Sequence, residues 1–511
     1  MHLKHLSLLA APCLATASSI LFSGGTIVAF DRASESLEVI RNGSVLVTDD
    51  RITNVMAGAP TFKLRNDTEV VDISGKIITP GFVDTHKHGW QTAFKTLASN
   101  TSLLEYFNRY GEFAAAGLLT ADDVYIGQLA GIYEALNGGV TTILDHAHHT
   151  WSNATAEAGL QASIDSGARV FWAYAFHNIP AVNYFIPEQL ANFADIARNA
   201  SFANTPTSLG VAYDAFSGNS NTAEVAAVVA LAQQFNASVL TTHSLQGPWG
   251  NDNSPEDLQA AGILNTTIPV VFSHASFLTA AGATLLRSTN QFVSVTPESE
   301  MHYGHTHPHS HLVLDQAALG IDTHFTFSSD ILTQARLWLQ SVRRTLYGEV
   351  LGRWQVPPNN PMSVAQAFLL ATRHGGLALR RDDIGVIAEG AKADLVVWDG
   401  KTSPALLGWN DAVAAVILHA SVGDIEHVLV DGRWKKRDGK IVVPGYAEVQ
   451  QRFLASARRL QNELIATNTS VPQPGTIWDP SGFFVGEALT VDTLRPYDNV
   501  TGYGELFLEK F

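Results

Sequence analysis

The chain is predicted to be an α/β protein, a (β/α)₈ barrel of TIM type with a small composite β-sandwich contributed by segments at both ends. Three observations predict it: β-branched runs punctuated by turns lie at the two ends, eight apolar strand-like runs alternate with Ala- and Leu-rich helical stretches between them, and polar residues collect where those runs stop. At 511 residues, 46% hydrophobic and 16% charged, the chain can bury the large core such a fold needs.

Residues 1–17, MHLKHLSLLAAPCLATA, combine Lys4, an apolar run of about ten residues and the small-residue ending Ala15-Thr16-Ala17, the anatomy of a secretory signal cleaved after Ala17. The run is too short to span a bilayer. Acceptor sites for N-glycosylation stand at Asn42, Asn66, Asn100, Asn153, Asn199, Asn236, Asn265, Asn468 and Asn499, as in a secreted glycoprotein. The one cysteine, Cys13, lies inside the signal, so a metal in the mature chain must be held by His and carboxylate.

Residues 18–77 form the first part of the sandwich, in ILFSGGTIVAF, LEVIRNGSVLVTDDRITNVMAG and EVVDISGKIITPG, and residues 385–445 the second, in ADLVVWDG, AAVILHA and IEHVLVDGRWKKRDGKIVV. The barrel spans 78–384, with strands in IITPGFVDTH, GVTTILDH, RVFWAYAF, SLGVAYDAF, SVLTTH, IPVVFSH, FVSVTPE and AALGID. Polar residues at their ends are Asp84, His86, Asp145, His146, His177, Asp214, His243, His274, Glu298 and Asp322. Residues 446–511 carry the helical EVQQRFLASARRLQNELIA and a Pro/Gly-rich tail with Trp478, Phe483 and Phe484, expected to pack on the barrel or on a neighbouring subunit of a homo-oligomer. A formal net charge of −16 excludes a nucleic-acid or anionic-membrane surface and leaves a small molecule as the partner.

In GFVDTHKHGWQT an apolar run ends in His86-Lys87-His88. Successive strand side chains point to opposite faces, so His86 and His88 share one face and can aim at one ion. His243 ends SVLTTH and Asp322 ends AALGID. Three His and one Asp leave a position open for water, the form of a catalytic site for one divalent metal ion, zinc first and ferrous iron second. Water on such an ion loses roughly eight or nine pKa units and supplies hydroxide near neutral pH. His274 is read as polarising the substrate or orienting the water, or else as a core histidine bonded to a carbonyl. Asp330 in TFSSDIL rivals Asp322 but reads better as the cap of the next helix.

His146, His148, His177, Glu300 and His302 are expected to line the pocket, with Trp90, Phe107, Trp172, Tyr174, Phe176 and Tyr213 available to stack a flat ring. Lys87 points away from the metal on a regular strand; with Gln91 it reaches substrate only if the turn bends after His88. The histidines of DHAHH and MHYGHTHPHSH read as pocket lining and surface loop rather than a second metal cluster.

The set ITPGFVDTHKH, GVTTILDHAH, TTHS, FSHAS, TPESEM, LGID and IGVIAEGAKADLVVWD resembles the amidohydrolase superfamily, in its branch of cytosine and guanine deaminases and triazine hydrolases, over roughly residues 20–435. The resemblance implies metal ligation by His86, His88, His243 and Asp322, and catalytic roles for His274, Asp322 and His243. SLGVAYDAF has no lysine for the second ion that binuclear relatives bind, so one metal is expected. Gln246 stands where deaminase-like members carry a proton-shuttling glutamate, and an amide cannot do that work. Asp322 with His274 is the first replacement, ahead of Glu300 and the strand-2 histidines. The function implied is hydrolysis of a small cyclic or aromatic substrate at a C–N bond (amide, lactam or amine) or a related one. The alternatives are a metal-dependent lyase on the same site, by decarboxylation or elimination, and a non-catalytic secreted binding protein.

Overall fold

The computed structural model describes residues 19–491 except 200, 218–221, 251, 306–309, 468–469, 471, 479–481 and 489. The signal at 1–17, Asn468, Asn499, and His307 and His309 of the His-rich loop lie outside the described residues.

The N-terminal segment gives β1 (Ser19–Asp31), β2 (Ser36–Thr48), β3 (Arg51–Ala57), β4 (Thr68–Asp72) and β5 (Ile77–Pro80). The barrel follows as β6 (Phe82–Lys87), β7 (Val140–Ala147), β8 (Arg169–Phe176), β9 (Ser208–Tyr213), β10 (Leu240–Leu245), β11 (Val270–Ser276), β12 (Phe292–Val295) and β13 (Ala317–Leu319). The chain then returns as β14 (Leu395–Trp398), β15 (Ile425–Val430), β16 (Arg433–Arg437) and β17 (Lys440–Ile441).

The two ends of the chain do meet in one sheet, ordered β17-β16-β15-β14-β5-β1-β2-β3 with β4 on β1, where β5 and β14 pair antiparallel. Its apolar face buries Phe22, Ile27, Val45, Ile52, Ile78 and Val397. A buried ion pair ties it to the barrel: the Arg169 guanidinium at the start of β8 donates to both Asp394 oxygens at 3.0 and 3.1 Å.

Strands β6 to β13 pair in parallel, in order. The ring closes where Ile321 and Asp322 donate their N–H groups to the His86 carbonyl (3.0 and 2.8 Å) and His88 N–H donates to the Asp322 carbonyl (3.3 Å). Strands enclosed by helices are buried on both faces, as β8 is along its whole length.

Two expectations are corrected. IITPGFVDTH is two strands split at Gly81, and Ile77–Pro80 belongs to the composite sheet. A Cβ at Gly81 would stand 2.1 Å from Thr141 Oγ1, so only glycine lets the chain cross there from one sheet to the other. AAVILHA is helical, with Asp411 Oδ1 accepting from Val413 and Ala414 N–H to start the turn.

The C-terminal helix Tyr446–Ala466 packs on the helix Ala121–Asn137. Asp123 anchors it, accepting from Ser456 Oγ at 2.6 Å and from Arg459. The tail then brings Trp478 onto Phe107, with ring centroids 5.7 Å apart and planes at 10°, and Phe483 against Trp249 at 5.7 Å.

Candidate functional site

At the C-terminal end of the barrel four side chains converge. The Nδ1 of His86 faces Ser273 Oγ at 2.8 Å, that of His88 meets the His146 carbonyl at 3.0 Å, and that of His243 meets Asp214 Oδ2 at 2.8 Å. With each Nδ1–H donated outward, every Nε2 keeps its lone pair and turns it inward. His86 and His88 Nε2 stand 3.4 and 3.0 Å from Asp322 Oδ1, and the Nε2 atoms of His88 and His243 are 3.3 Å apart. Ser299 Oγ–H holds the other Asp322 oxygen at 2.5 Å. His86 Nε2 and Asp322 Oδ1 are buried without a hydrogen-bond partner. Acceptors this close repel one another unless a cation lies among them, and three imidazoles with a carboxylate are the donor set that suits a divalent transition metal. The ligand atoms of His86, His243, His274 and Asp322 also lie within 4.8 Å of one another.

Asp330, the rival of Asp322, caps the helix Ile331–Leu351, accepting from Leu332 N–H at 3.0 Å. Lys87 is fully buried on the opposite strand face and donates to Ser329 Oγ at 2.5 Å. His146, His148, Asp214 and His243 form a second close group. Asp214 is already saturated there: Oδ1 accepts His243 N–H (2.7 Å) and Thr242 Oγ1 (3.1 Å), and Oδ2 accepts the His243 ring and stands 3.3 Å from His146 Nε2. This group therefore works as a hydrogen-bonded brace.

Burial would raise the Asp214 pKa, but the His243 and His146 rings hold it well below the usual carboxylate range. Burial pushes the His146 and His274 imidazoles down to about 3, leaving both neutral near neutral pH. His274 Nδ1 lies 2.9 Å from Thr296 Oγ1 and 3.5 Å from Glu300 Oε1. The backbone is strained at both edges of the site, with φ of 71° at His274 and 69° at Asp322.

A cavity of about 690 Å³ opens above these atoms. His88, His146, His148, His177, His243, His274 and Asp322 line it, as do Phe107, Phe176 and Tyr213. Six expected pocket residues do not. Trp90 packs on Trp151 and Phe94 beside the cavity, and Gln91 donates to Tyr106 Oη and the Tyr110 carbonyl. Tyr174 faces the surrounding helices at Asn192, and Glu300 is committed behind His274 to Thr296 N–H. Gln246 is buried where its own N–H pairs with the Ser276 carbonyl, and His302 packs between Tyr303 and Phe327 outside the lining. Trp172, also named for stacking, packs on His149 and Tyr174 outside the lining.

Sequence reasoning missed Glu112 and did not single out His305 within the His-rich loop; both line the cavity. Neither lies on a barrel strand, so the strand-end rule could not find them. Asp214 was visible as a strand-end polar residue, but its bond to His243 was not. The tail also enters the site, through Trp478 and Phe483.

Residues 77–435 match the family model described as the Amidohydrolase family. The 5'-deoxyadenosine deaminase of Methanosarcina mazei is 25% identical over 443 residues, covering 84% of this chain and 94% of its own length. The 5-methylthioadenosine/S-adenosylhomocysteine deaminase of Pyrococcus horikoshii is 25% identical, over 85% of this chain and 99% of its own. Among solved structures, an adenosine deaminase from Xanthomonas campestris with bound zinc superposes with a TM-score of 0.73 at 19% identity, covering 88% of this chain and 99% of that one. The atrazine chlorohydrolase of Arthrobacter aurescens TC1 complexed with zinc gives 0.72 at 17% identity, over 86% and 100%. With a family model that matches the whole barrel and strands β5, β14 and β15 of the composite sheet, the chain belongs to the amidohydrolase family.

Proposed function

We propose that this enzyme, an amidohydrolase-type hydrolase acting on carbon–nitrogen bonds, holds one divalent cation, zinc, through His86, His88, His243 and Asp322 and releases an amine from a small flat ring. The observation that carries the reading is the convergence of four ligand atoms, with His86 and His88 Nε2 on Asp322 Oδ1 and His243 Nε2 against His88 Nε2. A bound cation supplies Lewis acidity, polarising the substrate and acidifying water.

The chain's own residues position and move the protons. Ser273, the His146 carbonyl and Asp214 fix the tautomer and orientation of the three rings. With the His274 proton on Nδ1 and engaged by Thr296, the free Nε2 accepts a proton from the attacking water, and once protonated it can donate to the developing oxyanion. Asp322, with Oδ2 bonded to Ser299, offers Oδ1 as the second proton acceptor. Gln246 has no ionisable group and stands outside the lining, so the proton passes to the leaving nitrogen through Asp322 and His274. Aromatic walls stack the ring and exclude bulk water. The names of the deaminase relatives favour a ring amine, with water entering and ammonia leaving.

The same reading places the mature chain outside the cell, on the leader-like residues 1–17 and the glycosylation acceptors. It divides that chain into a sandwich from 18–77 and 385–445, a barrel at 78–384 and an extension at 446–511. Intact mass of the exported protein before and after deglycosylation tests the secretion.

The enzymatic reading is tested by elemental analysis of purified protein and by assay on ring amines in isotopically labelled water. One equivalent of metal, ammonia release and label in the product are expected. Full activity without metal would overturn the assignment, and product lacking solvent oxygen would mark a lyase instead.

A further inference from the structure

The charges around the cavity are one-sided. Among the described residues its lining holds Glu112, Asp214, Glu224 and Asp322 but no lysine or arginine. Three of these carboxylates are engaged: Asp322 at the metal cluster, Asp214 by its donors, and Glu224 by Tyr213 Oη at 2.8 Å. Glu112 is different. Its side chain is 17% exposed, and the basic group facing it is His148 Nδ1, at 3.9 Å. His148 is 4% exposed, and its Nδ1 has no hydrogen-bond partner.

We propose that the outer part of the cavity is a subsite for a protonated amine carried by the substrate, and that Glu112 together with His148 sets this selectivity. A carboxylate oxygen and an imidazole acceptor 3.9 Å apart are spaced so that one N–H-bearing cation can donate to both. Phe107, Phe113 and Trp478 line the same cavity and put aromatic surface beside Glu112, the kind of wall that suits a cation. Burial raises the Glu112 pKa against the opposing pull of its own backbone N–H and of the His243 and His88 rings. A carboxylate or phosphate arm would meet Glu112 with no lysine or arginine among the described lining residues to offset the repulsion. The inference rests on this cavity being the substrate site, and it narrows the substrate to rings with a cationic substituent.

The test is calorimetric binding of benzylammonium and its uncharged isostere benzyl alcohol to the metal-loaded full chain, with Glu112→Gln as the paired variant. Benzylammonium should bind about tenfold more tightly than the alcohol, the size of one charge-assisted hydrogen bond. Glu112→Gln should abolish that ratio and leave the affinity for the alcohol unchanged. Equal affinities in the wild type, no binding of either probe, or a ratio that survives in Glu112→Gln would overturn the proposal. Ammonia release from uncharged ring amines is scored separately, so loss of the C–N hydrolase reading and loss of the cation subsite are told apart.

Discussion

Asp214 is the residue on which the converging group of His86, His88, His243 and Asp322 leans most without belonging to it, and Asp214→Asn isolates that dependence. The carboxylate accepts the His243 ring N–H at 2.8 Å, the His243 backbone N–H at 2.7 Å and the Thr242 hydroxyl at 3.1 Å. An amide has one acceptor oxygen. If that oxygen keeps the backbone N–H, the new NH₂ meets the ring donor head-on; if it keeps the ring, the NH₂ meets the backbone donor. Either orientation leaves a donor facing a donor and removes the negative charge that raises the His243 pKa against the opposing effect of burial. A hydrogen bond to a charged group contributes about 1.5–3 kcal/mol. The Asp214 side chain is 30% exposed, so water compensates part of the loss and the lower end applies. That corresponds to about a tenfold weakening of zinc affinity, within the range for outer partners of metal-ligating histidines. Chelator competition at fixed pH measures it, with a thermal melt at saturating zinc as the control for folding. Folded Asp214→Asn that binds zinc within about twofold of the wild type would refute the brace.

Three other outcomes follow from the same geometry. His86→Ala removes one converging lone pair, and elemental analysis should find less than stoichiometric metal and lost turnover; full metal content would count against the ligand set. Arg169→Met leaves Asp394, which is 2% exposed, as a buried charge without its cation. A loss of about 3–5 kcal/mol in urea unfolding is expected, and a loss under about 1 kcal/mol would show that the pair does not join the barrel to the sheet. Burial pushes the Lys436 ammonium down to about 8 from 10.5, so between those values the unfolded chain holds a proton that the folded chain has released. Stability attributable to Lys436 therefore rises with pH there, by up to about 1.4 kcal/mol per unit. The wild type should gain on Lys436→Met from about pH 8 to about pH 10, and a constant difference between the two would refute the shift.

The convergence of His86, His88, His243 and Asp322 was legible because the constraints on it are few and rigid. A barrel presents its chemistry at the C-terminal strand ends, and period-two alternation puts His86 and His88 on one face. Asp322 and Asp330 could be ranked because a helix start needs a capping carboxylate, and Asp330 supplies it. The pocket walls were harder to read, because a strand buried on both faces gives no apolar alternation to orient it. On β8 the aromatic residues Trp172 and Tyr174 face the helices, while Ala173 and Ala175 fill the narrow barrel axis. Trp172 and Tyr174 therefore marked the outside of the barrel, whereas Phe171 shares the inner cluster with the two alanines and Phe176 reaches the cavity. Glu112 and Trp478 reach the site from segments whose paths depend on tertiary packing, so no local pattern could announce them.

Backbone strain gives a physical account of why the site is so fully braced. A residue held at positive φ costs about 1–3 kcal/mol, and both His274 and Asp322 are held there. Without restraint each would relax toward ordinary backbone geometry and swing its functional atom away from the cluster. The restraints are the barrel's own closure and its second layer of hydrogen bonds. Asp322 is clamped by backbone bonds to His86 and His88 and by Ser299, and His274 by Thr296. Closing the ring of strands and aiming the donor atoms are thus one event, because the bonds that join β6 to the eighth strand are made by the residues that form the cluster. A change that loosens this seam should therefore weaken metal binding before it unfolds the barrel.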